Sequence, residues 1–273
     1  MLSQAVPIQI IPIQMSKDNP QYAQYPSLRG RKVLITGGAT GIGEAFVAGF
    51  AAQGAQVAFF DIQDEPAQAL AARLAAASYP VPIYRRCDLT DIIAAQQAVE
   101  ETIAQLGGLD VLLNNAANDQ RHTVESVTPE LWDRLIAVNL RHQFFVTQSA
   151  LPALKRSGSA SIINMSSIAW MIPGVNMPVY ITAKAAVVGF TKTLAHEVGK
   201  DNVRVNCILP GAIVTEKQER TVLTPEFRAE VLANQAIKRL LVADDVVRLA
   251  LFLAADDSSA ISAQGYIVDG GWV

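Results

Sequence analysis

"VLITGGATGIG", residues 33–43, runs from an apolar stretch directly into backbone carrying four glycines. That pairing predicts a buried strand turning tightly into a helix that begins near Ile42. Gly37, Gly41 and Gly43 let the chain turn, and with Thr40 and Ile42 they leave room at the helix N-terminus for a dinucleotide pyrophosphate. The spacing is Gly-x-x-x-Gly-x-Gly rather than G-x-G-x-x-G, and glycines at such a position also serve the turn alone.

Outward from this turn, apolar runs alternate with longer helical patterns. Strands are expected at 32–36, 56–61, 82–86, 110–114, 160–165, 204–208 and 265–268. Several are apolar almost throughout, as strands covered on both faces must be, and crossover geometry then favours one parallel sheet with helices on each side. This is a doubly wound α/β fold in a single domain. The alanine-rich segments "AQALAARLAAA" (67–77) and "DIIAAQQAVEETIAQL" (91–106) have helical period and read as closely packed amphipathic helices. Residues 1–27, rich in Gln, Pro and Tyr, form an N-terminal extension ahead of a domain at 28–273.

Composition excludes several classes of function. The chain has 273 residues, 51% hydrophobic and 17% charged, which rules out disorder for most of its length. A formal net charge of −3 without a Lys/Arg run gives no field for a nucleic-acid partner. The apolar start "MLSQAVPIQIIPIQM" is broken by Pro7 and Pro12, lacks a basic leader and is too short to span a bilayer, so no membrane partner is expected. Cys87 and Cys207 have no CxxC spacing and are expected as reduced thiols in a cytoplasmic protein. His122, His142 and His196 lack ligand spacing, so no metal is expected and each reads as a hydrogen-bonded structural histidine.

The second strand ends "VAFFDI" (57–62), placing Asp61 eighteen residues after Gly43. A carboxylate there can hold both adenine-ribose hydroxyls and repels a 2′-phosphate, and neither Ala39 nor Thr40 offsets it with a cation. NAD is therefore expected, with NADP left open; a solvated strand end is the alternative reading of Asp61. Further on, "SSIAWMIPGVNMPVYITAK" (166–184) holds Ser167, Tyr180 thirteen residues later and Lys184 four beyond that. On a helix starting near Val179, Tyr180 and Lys184 share a face, and an ammonium beside a phenol favours the phenolate, a general base. The pair by itself is not specific.

The ordered set "TGGATGIG" (36–43), "CDLTD" (87–91), "NNAA" (114–117), Asn139 in "VNL", Ser167, "YITAK" (180–184) and "PG" (210–211) resembles the short-chain dehydrogenase/reductase family over residues 29–273. The resemblance implies a Rossmann fold in which Tyr180 accepts the proton, Lys184 lowers its pKa and binds the nicotinamide ribose, and Ser167 hydrogen-bonds the reacting oxygen. It implies that Asn139 holds a relay water, although an asparagine there can also simply satisfy a carbonyl. Asp61 with Ile62, Asp88 with Leu89, and Asn115 with Ala116 would surround the adenosine, and Pro210, Gly211, Ile213 and Thr215 the nicotinamide amide. Ala117 departs from the usual glycine, and its methyl would cost about 1 kcal/mol if positive φ is required. The resemblance further implies a homotetramer, with segments 130–155 and 180–198 as interface candidates.

Asn118, Asp119, Gln120 and Arg121 follow the fourth strand and could face the cleft, as could Trp170, Asn176, Gln218 and Glu219. They suit either a sugar or the pinning of a loop. "NNAANDQRHTVESVTPELWD…VNLRHQFF" with the terminal "DGGWV" resembles the aldose 1-dehydrogenase branch, which implies oxidation of an aldopyranose of L-arabinose or D-galactose type to its lactone. Another secondary alcohol or ketone, as in 3-oxoacyl reductases, is the runner-up.

Overall fold

The computed structural model describes residues 22–273; residues 1–21, most of the expected extension, lie outside the described residues. The opening stretch forms β1 (Lys32–Thr36) and α1 (Gly41–Ala52). Then follow β2 (Gln56–Asp61), α2 (Asp64–Ala76), β3 (Ile83–Arg86), α3 (Ile92–Leu106) and β4 (Val111–Asn114). The second half runs α4 (Pro129–Ile136), α5 (His142–Ser157), β5 (Ala160–Met165), α6 (Pro178–Val198) and β6 (Val203–Pro210). It ends with β7 (Ile213–Val214), α7 (Glu216–Thr221), α8 (Pro225–Asn234), β8 (Leu241–Val242), α9 (Ala243–Ala254) and β9 (Gly265–Val268). Seven strands form one parallel sheet in the order β3-β2-β1-β4-β5-β6-β9.

Period-two alternation divides the core between the two faces of the sheet. Val33 and Ile35 of β1 pack with Phe46, Phe50 and Phe59 beneath α1 and α9. Leu34, between them, faces the opposite way and packs with Phe60, Leu112 and Ile162 under α3, α5 and α6. The helix ends follow local chemistry: the Asp91 carboxylate accepts the Ala94 amide, the Thr128 hydroxyl accepts the Leu131 amide, and Gly107 closes α3 at φ +70°. Tyr22 and Tyr25 already pack on the domain, the Tyr22 hydroxyl donating to Asp244 Oδ1 at 2.7 Å.

Two features differ from expectation. Segment 130–155 is not one α-helix, because a π-helical turn at Ala137–Arg141 separates α4 from α5. The β7–β8 bridge joins segments far apart in sequence and has no sequence signature. Ala117 is exposed and is not among the residues with positive φ, so the strain its methyl could cause does not arise.

Strand order reverses direction at β1, whose chain neighbour β2 lies on one side and β4 on the other. A crevice opens there at the C-terminal strand ends. The turn between β1 and α1 is compact enough that a Cβ on Gly43 would lie 1.7 Å from the Gly37 carbonyl oxygen. Gly43→Ala should therefore cost at least about 3 kcal/mol, read as a drop in Tm by circular dichroism. An unchanged Tm would contradict the close approach.

Candidate active site

Six strand ends deliver the residues of the crevice. Gly37 follows β1 at φ +66° and Gly41 opens α1 at φ +60°. The turn is held from β4: the Asn115 side-chain amide donates to the carbonyls of Thr36 and Gly37 at 3.0 and 2.9 Å, and the Thr36 hydroxyl accepts the backbone amides of Asn115 and Ala116 at 2.9 and 3.1 Å. Both N–H groups of Asn115 are thus spent shaping the cradle. Ala116 lies so near that a Cβ on Gly37 would meet its Cα at 2.8 Å. Asp61, at the end of β2, accepts the amides of Ala39 at 2.9 Å, Ile62 at 2.7 Å and Gln63 at 3.1 Å. These three amides fix its carboxylate in place, with the apolar Ile62 side chain exposed beside it.

After β3, Asp88 folds back on the amide and hydroxyl of Thr90, at 2.9 and 2.7 Å, while the Leu89 side chain enters the core. On the other wall, Pro210 ends β6 and Gly211 donates to the Val268 carbonyl at 2.9 Å. Ile213 is buried in the core cluster. The Thr215 hydroxyl caps α7, and its methyl would sit 3.4 Å from a Cβ on Gly41, so this segment bends over the glycine turn.

At the centre, Ser167 leaves the end of β5 and caps a short 3-10 turn, accepting the Ala169 amide at 3.1 Å. Its side chain lies close enough to Tyr180, on α6, to favour that residue's phenolate. Lys184, one turn along α6, is 1% exposed and donates to the Met165 carbonyl at 2.8 Å, with Nζ 5.5 Å from the Tyr180 ring centroid. Burial pushes its ammonium down to about 8. Burial and the Asp119 charge push the Tyr180 phenol up to about 12, with Ser167 and Arg121 opposing. The expected lowering of the phenol by the ammonium is therefore not met in the free protein: desolvation of the phenolate wins.

Asn139 sits in the π-turn, wholly buried, and clamps the backbone of Asn118: Oδ1 accepts its amide at 2.9 Å and Nδ2 donates to its carbonyl at 3.0 Å. Its other amide hydrogen goes to Leu135 at 2.9 Å. The side chain therefore positions the loop after β4. One residue on, Asp119 bridges to α7, binding Lys217 Nζ at 2.5 Å and Gln218 Nε2 at 2.9 Å. Burial alone would raise this carboxyl, but Lys217 overrides it and holds the group below its ordinary value. Lys217 and the anchor His122, which accepts the Val179 amide at 3.4 Å, are site residues that sequence reading missed. Asn176 adopts φ +60° and, like Trp170, is exposed at the rim. His142 is wholly buried, its ring nitrogens reach only the backbone of Ala137 and Val138 in poor hydrogen-bond geometry, and burial with the Lys184 charge drives its imidazole down to about 3. Among the described residues no cluster of His, Cys, Asp and Glu could hold a metal ion, and no helix is long and apolar enough to cross a membrane.

A family model described as enoyl-(acyl carrier protein) reductase matches residues 37–273. A probable galactose dehydrogenase from Rhizobium meliloti (strain 1021) is 50% identical over 249 residues, 91% of this chain and 97% of that protein. A D-xylose 1-dehydrogenase from Caulobacter vibrioides is 46% identical over 250 residues, 92% of this chain and 98% of that protein. The chain belongs to the short-chain dehydrogenase/reductase family. A solved structure described as a short-chain alcohol dehydrogenase from Sinorhizobium meliloti 1021 has the same fold, with a TM-score of 0.85 at 27% identity over 90% of this chain and 98% of that one. Membership makes the protein an oxidoreductase with a nicotinamide cofactor. The crevice fits one: its floor is bare glycine backbone at positive φ, a fixed carboxylate marks one end and a buried ammonium the other.

Burying the Lys184 ammonium carries a cost set by its lowered pKa. The folded state resists protonation relative to the unfolded chain, so the cost is full below about pH 8 and fades as pH rises toward the unfolded value of 10.5. Lys184→Met should thus raise the stability at pH 7 by on the order of 1–3 kcal/mol, read as a higher Tm, and lose that advantage near pH 10.5. A lowered Tm at pH 7 would contradict the buried-charge account.

Proposed function

We propose that the protein oxidises C1 of an aldopyranose of L-arabinose or D-galactose type to the aldonolactone, using NAD. The observation that carries this reading is the polar wall built over Tyr180 by Asp119, Lys217 and Gln218. Relatives named for galactose and D-xylose oxidation, matched over nine-tenths of both chains, support it. A sugar needs several hydrogen-bond partners, and Asn118, Asp119, Ser167, Asn176 and Gln218, with the face of Trp170, can supply them.

In this reading Tyr180, a neutral phenol in the free protein, becomes the acceptor of the anomeric hydroxyl proton once cofactor and sugar are bound, and the Ser167 hydroxyl steadies the same oxygen. Lys184, beside the phenol ring, holds the negative charge on Tyr180 and keeps donor capacity for the nicotinamide ribose after its bond to Met165. When bound, the cofactor supplies the hydride acceptor and a cationic ring. Asn139 fixes the Asn118 loop over the reacting carbon. Gly37, Thr40, Gly41, Ile42 and Gly43 would cradle the pyrophosphate. Asp61, Ile62, Asp88, Leu89, Asn115 and Ala116 would form the adenosine end, and Pro210, Gly211, Ile213 and Thr215 the nicotinamide end. The Asp61 charge supports NAD over NADP. Free, buried Cys87 and Cys207 support a cytoplasmic setting.

Self-association as a homotetramer belongs to the same reading. A groove of about 470 Å³ runs between α5 and α6, lined by Ile136, Leu140, Phe144, Phe145, Ala186 and Phe190. Phe144 is 47% exposed there, the kind of surface that a second copy covers.

Reduction of NAD over a panel of aldoses, simple secondary alcohols and hydroxyacyl thioesters tests the reading. L-arabinose and D-galactose, which share ring stereochemistry and differ at C5, should react fastest, with D-xylose and D-glucose slower. Tyr180→Phe should keep NAD binding and lose at least about a thousandfold in kcat. Activity confined to the thioesters would favour the acyl-reductase reading that the family model's description suggests. Near-wild-type turnover without the Tyr180 hydroxyl would refute the mechanism.

A further inference from the structure

The adenosine end of the crevice holds a cation that the glycine turn does not supply. Arg86 ends β3 directly opposite Asp61 in the parallel register of β2 and β3, so the two side chains leave the same face of the sheet. The Arg86 guanidinium reaches across the end of β2 and donates to the Ile62 carbonyl at 2.8 Å, one residue beyond Asp61. There it meets Asp64, at the start of α2, at 2.5 Å. The Tyr84 hydroxyl donates to the other Asp64 oxygen at 2.7 Å, which fixes the carboxylate in front of the guanidinium and holds it below its ordinary pKa. Gln63, between these residues, donates to the Thr40 hydroxyl at 3.4 Å, so the whole group borders the glycine turn.

The Arg86 side chain is 62% exposed and Asp64 49% exposed, so their pairing is a solvated one that a stronger anion can displace. A guanidinium matches a phosphate monoester in both charge and fork geometry. We infer that Arg86 is a specificity-determining residue of the dinucleotide site, a cation positioned for a ribose 2′-phosphate and held in reserve by Asp64. Asp61 fixes the preference for an unmodified ribose, and Arg86 determines how far a 2′-phosphorylated dinucleotide is accepted. The inference rests on the reading that Asp61 receives the adenine ribose.

Titration of the intact protein with 5′-AMP and with 2′,5′-ADP, followed calorimetrically, separates the two readings without any sugar substrate. Arg86→Leu should weaken 2′,5′-ADP at least tenfold and change 5′-AMP by less than about twofold. Asp64→Asn should tighten 2′,5′-ADP about fivefold, by removing a competing charge. If the unaltered protein binds 2′,5′-ADP too weakly to read, Asp61→Ser supplies the background: it should weaken 5′-AMP and tighten 2′,5′-ADP, and adding Arg86→Leu should cancel the gain. Equal effects of Arg86→Leu on both ligands, or a full gain retained in the double variant, would overturn the role of Arg86 alone. An Asp61→Ser variant that binds 5′-AMP unchanged would overturn the ribose reading and this inference with it.

Discussion

The molecule is organised by one close approach, that of the β1–α1 turn to the end of β4. Gly37 can stand against Ala116 only because it lacks a Cβ and tolerates φ +66°. Asn115 then ties the two segments together through the carbonyls of Thr36 and Gly37. Once those strand ends are locked at the point where sheet order reverses, the ends of β5 and β6 fall beside them by register, bringing Ser167 and Gly211 to the same rim. The crevice is a by-product of sheet order, and its chemistry is decided by which side chains stand at those ends.

Charge burial gives the site its character. Lys184 is one of the largest fully buried side chains, and a buried ammonium is costly unless something uses it. A single carbonyl partner leaves part of its donor capacity unspent. Tyr180 and Asp119 raise the electrostatic stakes further, since each disfavours a second negative charge nearby, and Lys217, Arg121 and the ammonium offset them. The lid-like α7 is tied by the same Asp119, so the group that shapes the field over Tyr180 also places the wall that faces a substrate.

Much of this was legible in the sequence where local pattern and tertiary demand agree. The segments read as 32–36, 56–61 and 160–165 are β1, β2 and β5 without change, because buried parallel strands are apolar on both faces, and 265–268 is the edge strand β9, which is only partly buried. The i, i+4 placement of Tyr180 and Lys184 on α6 was equally plain. What sequence could not carry was non-local. The π-turn around Asn139 keeps a helical pattern of side chains, and the partner of Asn139 is the backbone of Asn118, twenty-one residues away, which has no residue type to read. Asn115 reads as a cofactor residue, and that its side-chain amide holds the turn is a contact no spacing reports. Arg86 and Lys217 carry no sequence signal, and only the fold sets them beside Asp64 and Asp119. The direction of the Tyr180 shift depended on burial, which a spacing of four residues does not report.

If the protein acts as proposed, the carbon oxidised is C1 of a sugar whose hydroxyl proton goes to Tyr180. Incubating the protein with NAD and D-galactose or L-arabinose deuterated at C1, and examining the reduced cofactor by mass spectrometry and NMR, tests it most directly. One deuterium should appear at C4 of the nicotinamide for each lactone formed, and transfer should be slowed at least about a thousandfold in a variant lacking the Tyr180 hydroxyl. Reduced cofactor without deuterium, or transfer that persists at the normal rate without that hydroxyl, would contradict it.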